Sequence, residues 1–364
     1  MPRRTEALIS IATTTGGTGR HVRVLAAGLV DRGWRVTVCG PRPTEDQFGF
    51  TGSGAAFEPL DIGSRPSLSN ASSIRTLRRL ASTHDIVHAH SLRAGAIAGV
   101  ATPRSVPLVV TWHNAVLASG RARRAYSVLE RYVARRASST LCVSGDLVER
   151  VRELGGRDVH LAPVSAPTLP EPSTTPDAVR AELGALDRPL VVSVGRLHAQ
   201  KGYPYLVAAA HLLAERDPAP LFAIAGDGPD RATIEQQIAA TGGPVRLLGD
   251  RADIPDLLRA ADVMALASEW EGSPLVVSEC LRAGVPFVGT AVGGVPDMVG
   301  DAGLLVPPRD PDALADAITA VLDSPEQAET LREAAHEAAA RLPTDESVVA
   351  DVVGTYARLL GEPV

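Results

Sequence analysis

Short runs of apolar, often β-branched residues alternate along the chain with longer stretches in which apolar positions recur at helical spacing. In the first half, Leu8–Ala12, Arg35–Cys39, Ile86–His88, Leu108–Thr111 and Thr140–Val143 predict strands. Helices are expected from near Gly19, Asn70, Ala94, Gly120 and Gly145. The pattern restarts after Pro189, with strands expected at Leu190–Val194, Phe222–Ala225, Val245–Leu248, Val263–Leu266 and Phe287–Thr290. Apolar strands alternating with helices imply parallel sheets covered on both faces. The reading is α/β twice over.

Five prolines between Pro163 and Pro176 exclude a helix or a central strand there and mark an interdomain linker. The expected organisation is a first domain over 1–165, a linker over 166–178, a second domain over 179–342 and a C-terminal helix over 343–364. Tail helices are expected over 310–322, 325–341 and 344–360, with Pro325 and Pro343 at starts. A chain of 364 residues exceeds what one core normally serves, which agrees with two domains. Open α/β sheets bind ligands at the carboxyl ends of their strands, so two facing sheets would share a central cleft.

Composition narrows the class. Hydrophobic residues at 45% and charged ones at 21% fit a soluble globular protein, and aromatics at 4% leave the core to Ala, Val, Leu and Ile. Cys39, Cys142 and Cys280 are too scattered for a zinc or disulfide framework and fit a reducing cytoplasm. Pro2-Arg3-Arg4 followed by Ala7–Ala12 is too short for a signal peptide and reads as a first strand. No apolar run would span a membrane. The net charge of −6 hides a division: residues 1–170 carry 22 basic and 12 acidic residues, and the remainder 14 and 30. The basic half suggests an anionic partner on that side.

Lys201 is the single lysine among 36 basic residues, in Val194-Gly195-Arg196-Leu197-His198-Ala199-Gln200-Lys201-Gly202. Arg offers a planar fork and Lys a mobile point charge, and both suit a phosphate at the mouth of a sheet. Gly16 and Gly17 close the first strand, where backbone amides and a helix N-terminus would accept an anion. The string is not a dinucleotide fingerprint, which disfavours an NAD enzyme. In the stretch Ser268 to Glu279, Pro274 suits a first helical position, which puts Gly272 and Ser273 at a helix entrance. Glu271 and Glu279 flank that entrance. Carboxylates do not hold phosphate, so they suggest sugar hydroxyls on either side of a diphosphate, with helix capping as the alternative.

Val-Gly-Arg-Leu-x-x-x-Lys-Gly, Ala225-Gly226-Asp227-Gly228-Pro229 and Glu-Gly-x-Pro-x-x-x-x-Glu resemble the C-terminal domain of family 4 retaining glycosyltransferases of the GT-B fold. The first half agrees through its Gly16-Gly17 loop, Asp85 to Ser91, Thr111-Trp112-His113-Asn114 and Val143-Ser144. The resemblance implies two Rossmann-like domains facing a central cleft, the first binding the acceptor and the second a nucleotide-diphosphate sugar. It gives Arg196 and Lys201 the diphosphate, helped by amides near Gly17, Gly272, Ser273 and Leu275. Glu271 would bind donor-sugar hydroxyls, Glu279 the ribose diol and His113 the sugar, and Arg251 would border the nucleobase. No cofactor or metal is implied. Two departures stand out: Cys280 where a small Ala is usual, and Pro163-Val164-Ser165-Ala166 in place of an Asn-Gly-Val-Asp turn.

His88-Ala89-His90 with His113 could be read as metal ligands, but no further ligand cluster is visible and the expectation is no metal. Asp310-Pro311-Asp312 reads as a helix cap. Along 120–138, Arg121, Arg124, Arg131 and Arg135 share one helical face, opposite Tyr126, Leu129, Tyr132 and Val133. That face fits either solvent or an anionic membrane. The expected activity is a metal-independent, retaining transfer of a hexose-type sugar to an unidentified hydroxyl acceptor, lipid-linked acceptors included. The enzyme would be cytoplasmic, at most peripheral on the inner membrane face, with no nucleic-acid partner. The alternatives are a GT-B phosphorylase or sugar-nucleotide epimerase, and a non-catalytic sugar-nucleotide binder.

Overall fold

Strand runs buried at nearly every position can persist only inside sheets covered on both faces, and a computed structural model shows two such sheets. It describes residues 5–14, 16–62, 69–167 and 169–361; Pro2-Arg3-Arg4, Thr15 of the glycine turn and Thr168 of the linker lie outside them. The chain divides into a first unit, residues 1–165 with 343–364, and a second unit, residues 166–342.

The first unit runs β1 (Glu6–Ile11), α1 (Gly17–Asp31), β2 (Arg35–Gly40), α2 (Arg42–Phe48), β3 (Ala56–Pro59), α3 (Ser69–Ala81), β4 (Ile86–His90), α4 (Leu92–Ala101), β5 (Leu108–Trp112), α5 (Gly120–Arg136), β6 (Ser139–Cys142), α6 (Gly145–Glu153) and β7 (Val159–Leu161). Its seven strands are parallel in the order β3-β2-β1-β4-β5-β6-β7. The second unit runs α7 (Pro176–Leu183), β8 (Leu190–Val194), α8 (Tyr203–Leu212), β9 (Leu221–Ala225), α9 (Arg231–Thr241), β10 (Val245–Gly249), α10 (Ile254–Ala260), β11 (Val263–Leu266), α11 (Leu275–Arg282), β12 (Phe287–Thr290), α12 (Val295–Val299), β13 (Gly303–Val306), α13 (Pro311–Asp323) and α14 (Pro325–Ala340). Its six strands are parallel in the order β10-β9-β8-β11-β12-β13.

The strands that the apolar pattern does not reveal, β3, β7 and β13, are all sheet edges with half-exposed residues. An edge strand is covered less than a central one and so carries no continuous apolar run.

The last helix, α15 (Asp345–Leu360), returns to the first unit. Its Val348, Val349, Val352 and Tyr356 enter the core of Val22, Leu25 and Leu29 on α1. A Cβ on Gly28 would lie 2.6 Å from Val349, so the glycine lets the two helices cross closely. A Thr344/Ser347 capping box starts this helix. The proline-rich linker is held, too: Arg282 donates to the carbonyls of Ala166 and Pro167, and Asp256 accepts from the Thr174 amide and the Ser173 hydroxyl.

Candidate functional site

Strand order reverses in the second sheet between β8 and β11, and ligand crevices form outside the carboxyl ends of strands at such a point. Lys201 lies in a short 3-10 turn after β8, and Glu271 in the loop after β11. Lys201 Nζ donates to Glu271 Oε1 at 2.6 Å. Ser268 Oγ donates to the same oxygen at 2.6 Å, and Glu271 is only 5% exposed. The lysine is therefore not a stray survivor of an arginine-rich composition; it compensates a buried carboxylate.

Hydrogen bonds and two close glycine approaches hold the loops together. The Glu269 amide donates to the Gln200 carbonyl, and Gln200 Nε2 to the Trp270 carbonyl. Gly202 sits at φ +62, where a Cβ would lie 1.9 Å from the Ala267 carbonyl oxygen. Gly293 sits at φ +53 with its Cβ position 1.7 Å from the Glu271 carbonyl oxygen, and the Gly294 amide donates to that same oxygen. Only glycine tolerates both the conformation and the approach. The segment Gly195 to Leu197 is zipped to the end of β9 and the loop after it: the Leu197 amide donates to the Asp227 carbonyl and the Asp230 amide to that of Leu197, while Tyr203 Oη on α8 donates to the Gly195 carbonyl.

Arg196 is exposed and makes no ion pair among the described residues. Pro274 caps α11 rather than opening it, one residue later than its sequence position suggested, so Leu275 is the first helical residue. Gly272 and Ser273 precede that cap, and Glu279 lies half-buried one turn inside the helix. The first-turn amides of Leu275 and Val276 meet no acceptor among the described residues. Arg251 stands apart on the loop after β10, with its fork filled by Glu182 at 2.7 Å and Asp253 at 2.6 Å. Asp310 caps α13 by accepting from the Ala313 amide at 3.0 Å. Cys280 is fully buried, its thiol pushed up by desolvation, and all three cysteines are free and buried.

In the first sheet the order reverses between β1 and β4. Gly16 caps α1 and Gly17 opens it beside β1, while His90 ends β4 and His113 follows β5. His90 Nδ1 and His113 Nε2 share a hydrogen bond of 3.0 Å. His21 on α1 packs edge-on against both rings. His88 faces other partners, Tyr356 Oη at 2.7 Å and Thr111 Oγ1 at 2.6 Å. Ser91 follows at φ +87 with its hydroxyl buried and unpaired, a conformation costly for any residue but glycine. Sequence reasoning grouped His88, His90 and His113 and missed His21, whose only signal is its place at the first buried turn of the helix after the glycines.

Burial lowers all four imidazoles: His21 to about 4, His88 to about 3, and His90 and His113 well below the ordinary value. The rings are neutral when folded, whereas the unfolded chain protonates them below about pH 6.5. Their contribution to stability is full above that pH and is lost as pH falls toward the folded values. The urea midpoint of the first unit is expected to fall steeply between about pH 6.5 and 4, with several protons taken up on unfolding. A midpoint flat across that window contradicts the buried, neutral cluster.

Comparison with known proteins follows the same division. The sequence pattern "Glycosyl transferases group 1" matches residues 177–338, and "Glycosyl transferase 4-like domain" matches residues 16–167. An alpha-D-kanosaminyltransferase of Streptomyces kanamyceticus is 34% identical over 283 residues, 71% of this chain and 72% of that protein. A D-inositol 3-phosphate glycosyltransferase of Xylanimonas cellulosilytica is 30% identical over 335 residues, 83% of this chain and 79% of that one. Among solved structures, Anabaena HepE in complex with UDP superposes with a TM-score of 0.82 at 22% identity, covering 97% of this chain and all of that one. Two parallel Rossmann-like sheets and these relatives together place the chain in the family 4 type of GT-B glycosyltransferases.

Proposed function

We propose that this glycosyltransferase moves a hexose-type sugar from a nucleotide-diphosphate sugar to an acceptor hydroxyl, with retention at the anomeric carbon and without a metal ion. The observation that carries the reading is the Lys201–Glu271 contact at the β8/β11 switch point, beside the free Leu275 and Val276 amides and the unpaired Arg196. A diphosphate at this place meets two cations and a helix N-terminus, which answers the developing charge that a metal would otherwise meet. Glycosidic C–O cleavage leaves the electron pair on the departing diphosphate. The acceptor oxygen bonds the anomeric carbon on the same face and its proton passes to the leaving phosphate. No side-chain nucleophile is needed, so catalysis rests on positioning and electrostatics. Glu271 is assigned to sugar hydroxyls, Glu279 to the ribose diol, His113 to the sugar, and the Gly16-Gly17 turn, Gly272 and Ser273 to the backbone lining. Arg251, its fork occupied, has only its flat face to offer a base. Solved neighbours carry UDP and UDP-glucose, which supports a nucleotide-sugar donor.

A thermal-shift panel of UDP-, GDP-, ADP- and dTDP-sugars identifies the donor, because a ligand bound to the folded state raises the melting temperature. Acceptor-dependent release of nucleoside diphosphate, insensitive to chelator, with a product of unchanged anomeric configuration, is the expected result. Sugar phosphate made from orthophosphate, or binding without transfer to any hydroxyl acceptor, overturns the proposal.

The two carboxylates separate kinetically. Glu279→Ala is expected to raise the donor KM several-fold with little change in kcat, because a ribose contact is alike in ground and transition states. Glu271→Ala is expected to lower kcat as well, since it also releases Lys201. Equal, negligible effects contradict both assignments.

We assign the basic face of α5 to an anionic surface. Arg121, Arg124, Arg131 and Arg135 are all exposed, as are Val128 at 70% and Tyr132 at 38%, the latter on the side expected to be covered. No helix among the described residues is long and apolar enough to cross a membrane. Binding to anionic vesicles is expected to fall with salt and with Arg121, Arg124 and Arg131 changed to Gln, while donor affinity stays unchanged. Protein left in the supernatant with anionic vesicles at low salt contradicts this.

A further inference from the structure

We propose that His21, His90 and His113 form a three-histidine site for a divalent transition metal, zinc in the first place, at the β1/β4 switch point of the first unit. One nitrogen of each ring lies within 4.8 Å of the other two. Tetrahedral zinc, with nitrogens about 2.0–2.1 Å away, sets its ligands about 3.3 Å apart, so a modest turn of the rings closes the set.

Satisfaction of the nitrogens points the same way. Three neutral imidazoles carry six ring nitrogens, of which the His90–His113 hydrogen bond uses two. His21 Nδ1 and His90 Nε2 are buried without any partner. Buried polar groups are normally paired, and a cation accepts the lone pairs that neighbouring rings cannot. His21 also lines a cavity of about 240 Å³, together with Thr111, His160 and Asp351, all within the first unit. Three protein ligands leave a fourth position for water. Imidazole nitrogens without a carboxylate favour zinc, copper or nickel over magnesium or calcium.

The site has a consequence for the reaction proposed above and, in that respect only, rests on it. A metal held by His113 competes with the sugar contact assigned to this ring, so zinc is expected to inhibit transfer. The binding claim stands apart from activity and is tested apart from it. Cobalt(II) is titrated into tag-free, chelator-stripped full-length protein, and visible ligand-field absorption of a four-coordinate site is followed. Saturation at about one equivalent, with displacement by zinc, is expected. His21→Asn is expected to weaken binding by about 100-fold or more, since even loss of a ligand's supporting partner costs about 10–100-fold. His160→Asn, which lines the cavity without joining the cluster, is expected to bind as the parent does. Circular dichroism confirms that each variant is folded, and His113→Asn replaces His21→Asn if the latter is not. No absorption in the parent, or absorption unchanged in the histidine-cluster variants, overturns the site. Cobalt binding that is lost in His21→Asn while zinc leaves transfer unaffected keeps the site and overturns instead the role given to His113.

Discussion

Lys201→Ala is expected to lower kcat by about 100-fold, the scale of removing one preorganised charge facing a leaving group. The structure adds a second effect. Glu271 is 5% exposed and would keep only the Ser268 hydroxyl, so the variant carries a nearly buried carboxylate without its cation. Loss of stability in the second unit would then accompany loss of turnover, and the two must be told apart. Lys201→Ala combined with Glu271→Gln removes the unpaired charge, so it should regain melting temperature without regaining turnover. Lys201→Arg keeps the charge but not the compact ammonium between two loops, and should also fall well short of the parent. Steady-state kinetics beside thermal melts check all three. Parental turnover in Lys201→Ala takes the lysine out of the reaction.

Deleting residues 343–364 is expected to unfold the first unit while leaving the second folded. Val348, Val349, Val352 and Tyr356 are at most 5% exposed and pack on α1, and the Tyr356 hydroxyl bonds His88. Each such side chain contributes about 1.5–3 kcal/mol by burial, so the helix as a whole is worth about as much as a typical domain's net stability. Hydrogen exchange or limited proteolysis of the truncated chain reads the outcome directly. A first unit that stays protected without its last helix contradicts the assignment of that helix to its core.

That helix also shows where sequence reading stops. Its span is expected at 344–360 with Pro343 marking the start, and the structure places it at Asp345–Leu360. Nothing local says which sheet its apolar face covers, because burial is set by a partner far along the chain. The central strands were legible for the opposite reason: Leu190–Val194, Val263–Leu266 and Phe287–Thr290 declare themselves as unbroken apolar runs. The edges β3, β7 and β13 did not, being half-exposed.

The chemistry divides likewise. Lys201 and Glu271 were each conspicuous for their neighbours in sequence, but their contact spans 70 positions and appears only once strand order sets β8 beside β11. His21 shows the limit most clearly. A lone histidine on an amphipathic helix carries no signal until the fold brings β4 and β5 against it. Gly293 is similar: a glycine pair after a strand is ordinary, and its need arises from a carbonyl that comes from another loop.

The central claim is that the carboxyl ends of β8 and β11 hold the donor, and hydrogen exchange with and without the nucleotide-diphosphate sugar that gives the largest thermal shift tests it most directly. Added protection is expected at residues 195–202 and 271–279, where Lys201, Glu271 and the amides of Leu275 and Val276 lie. Protection that leaves both segments unchanged and appears elsewhere contradicts it.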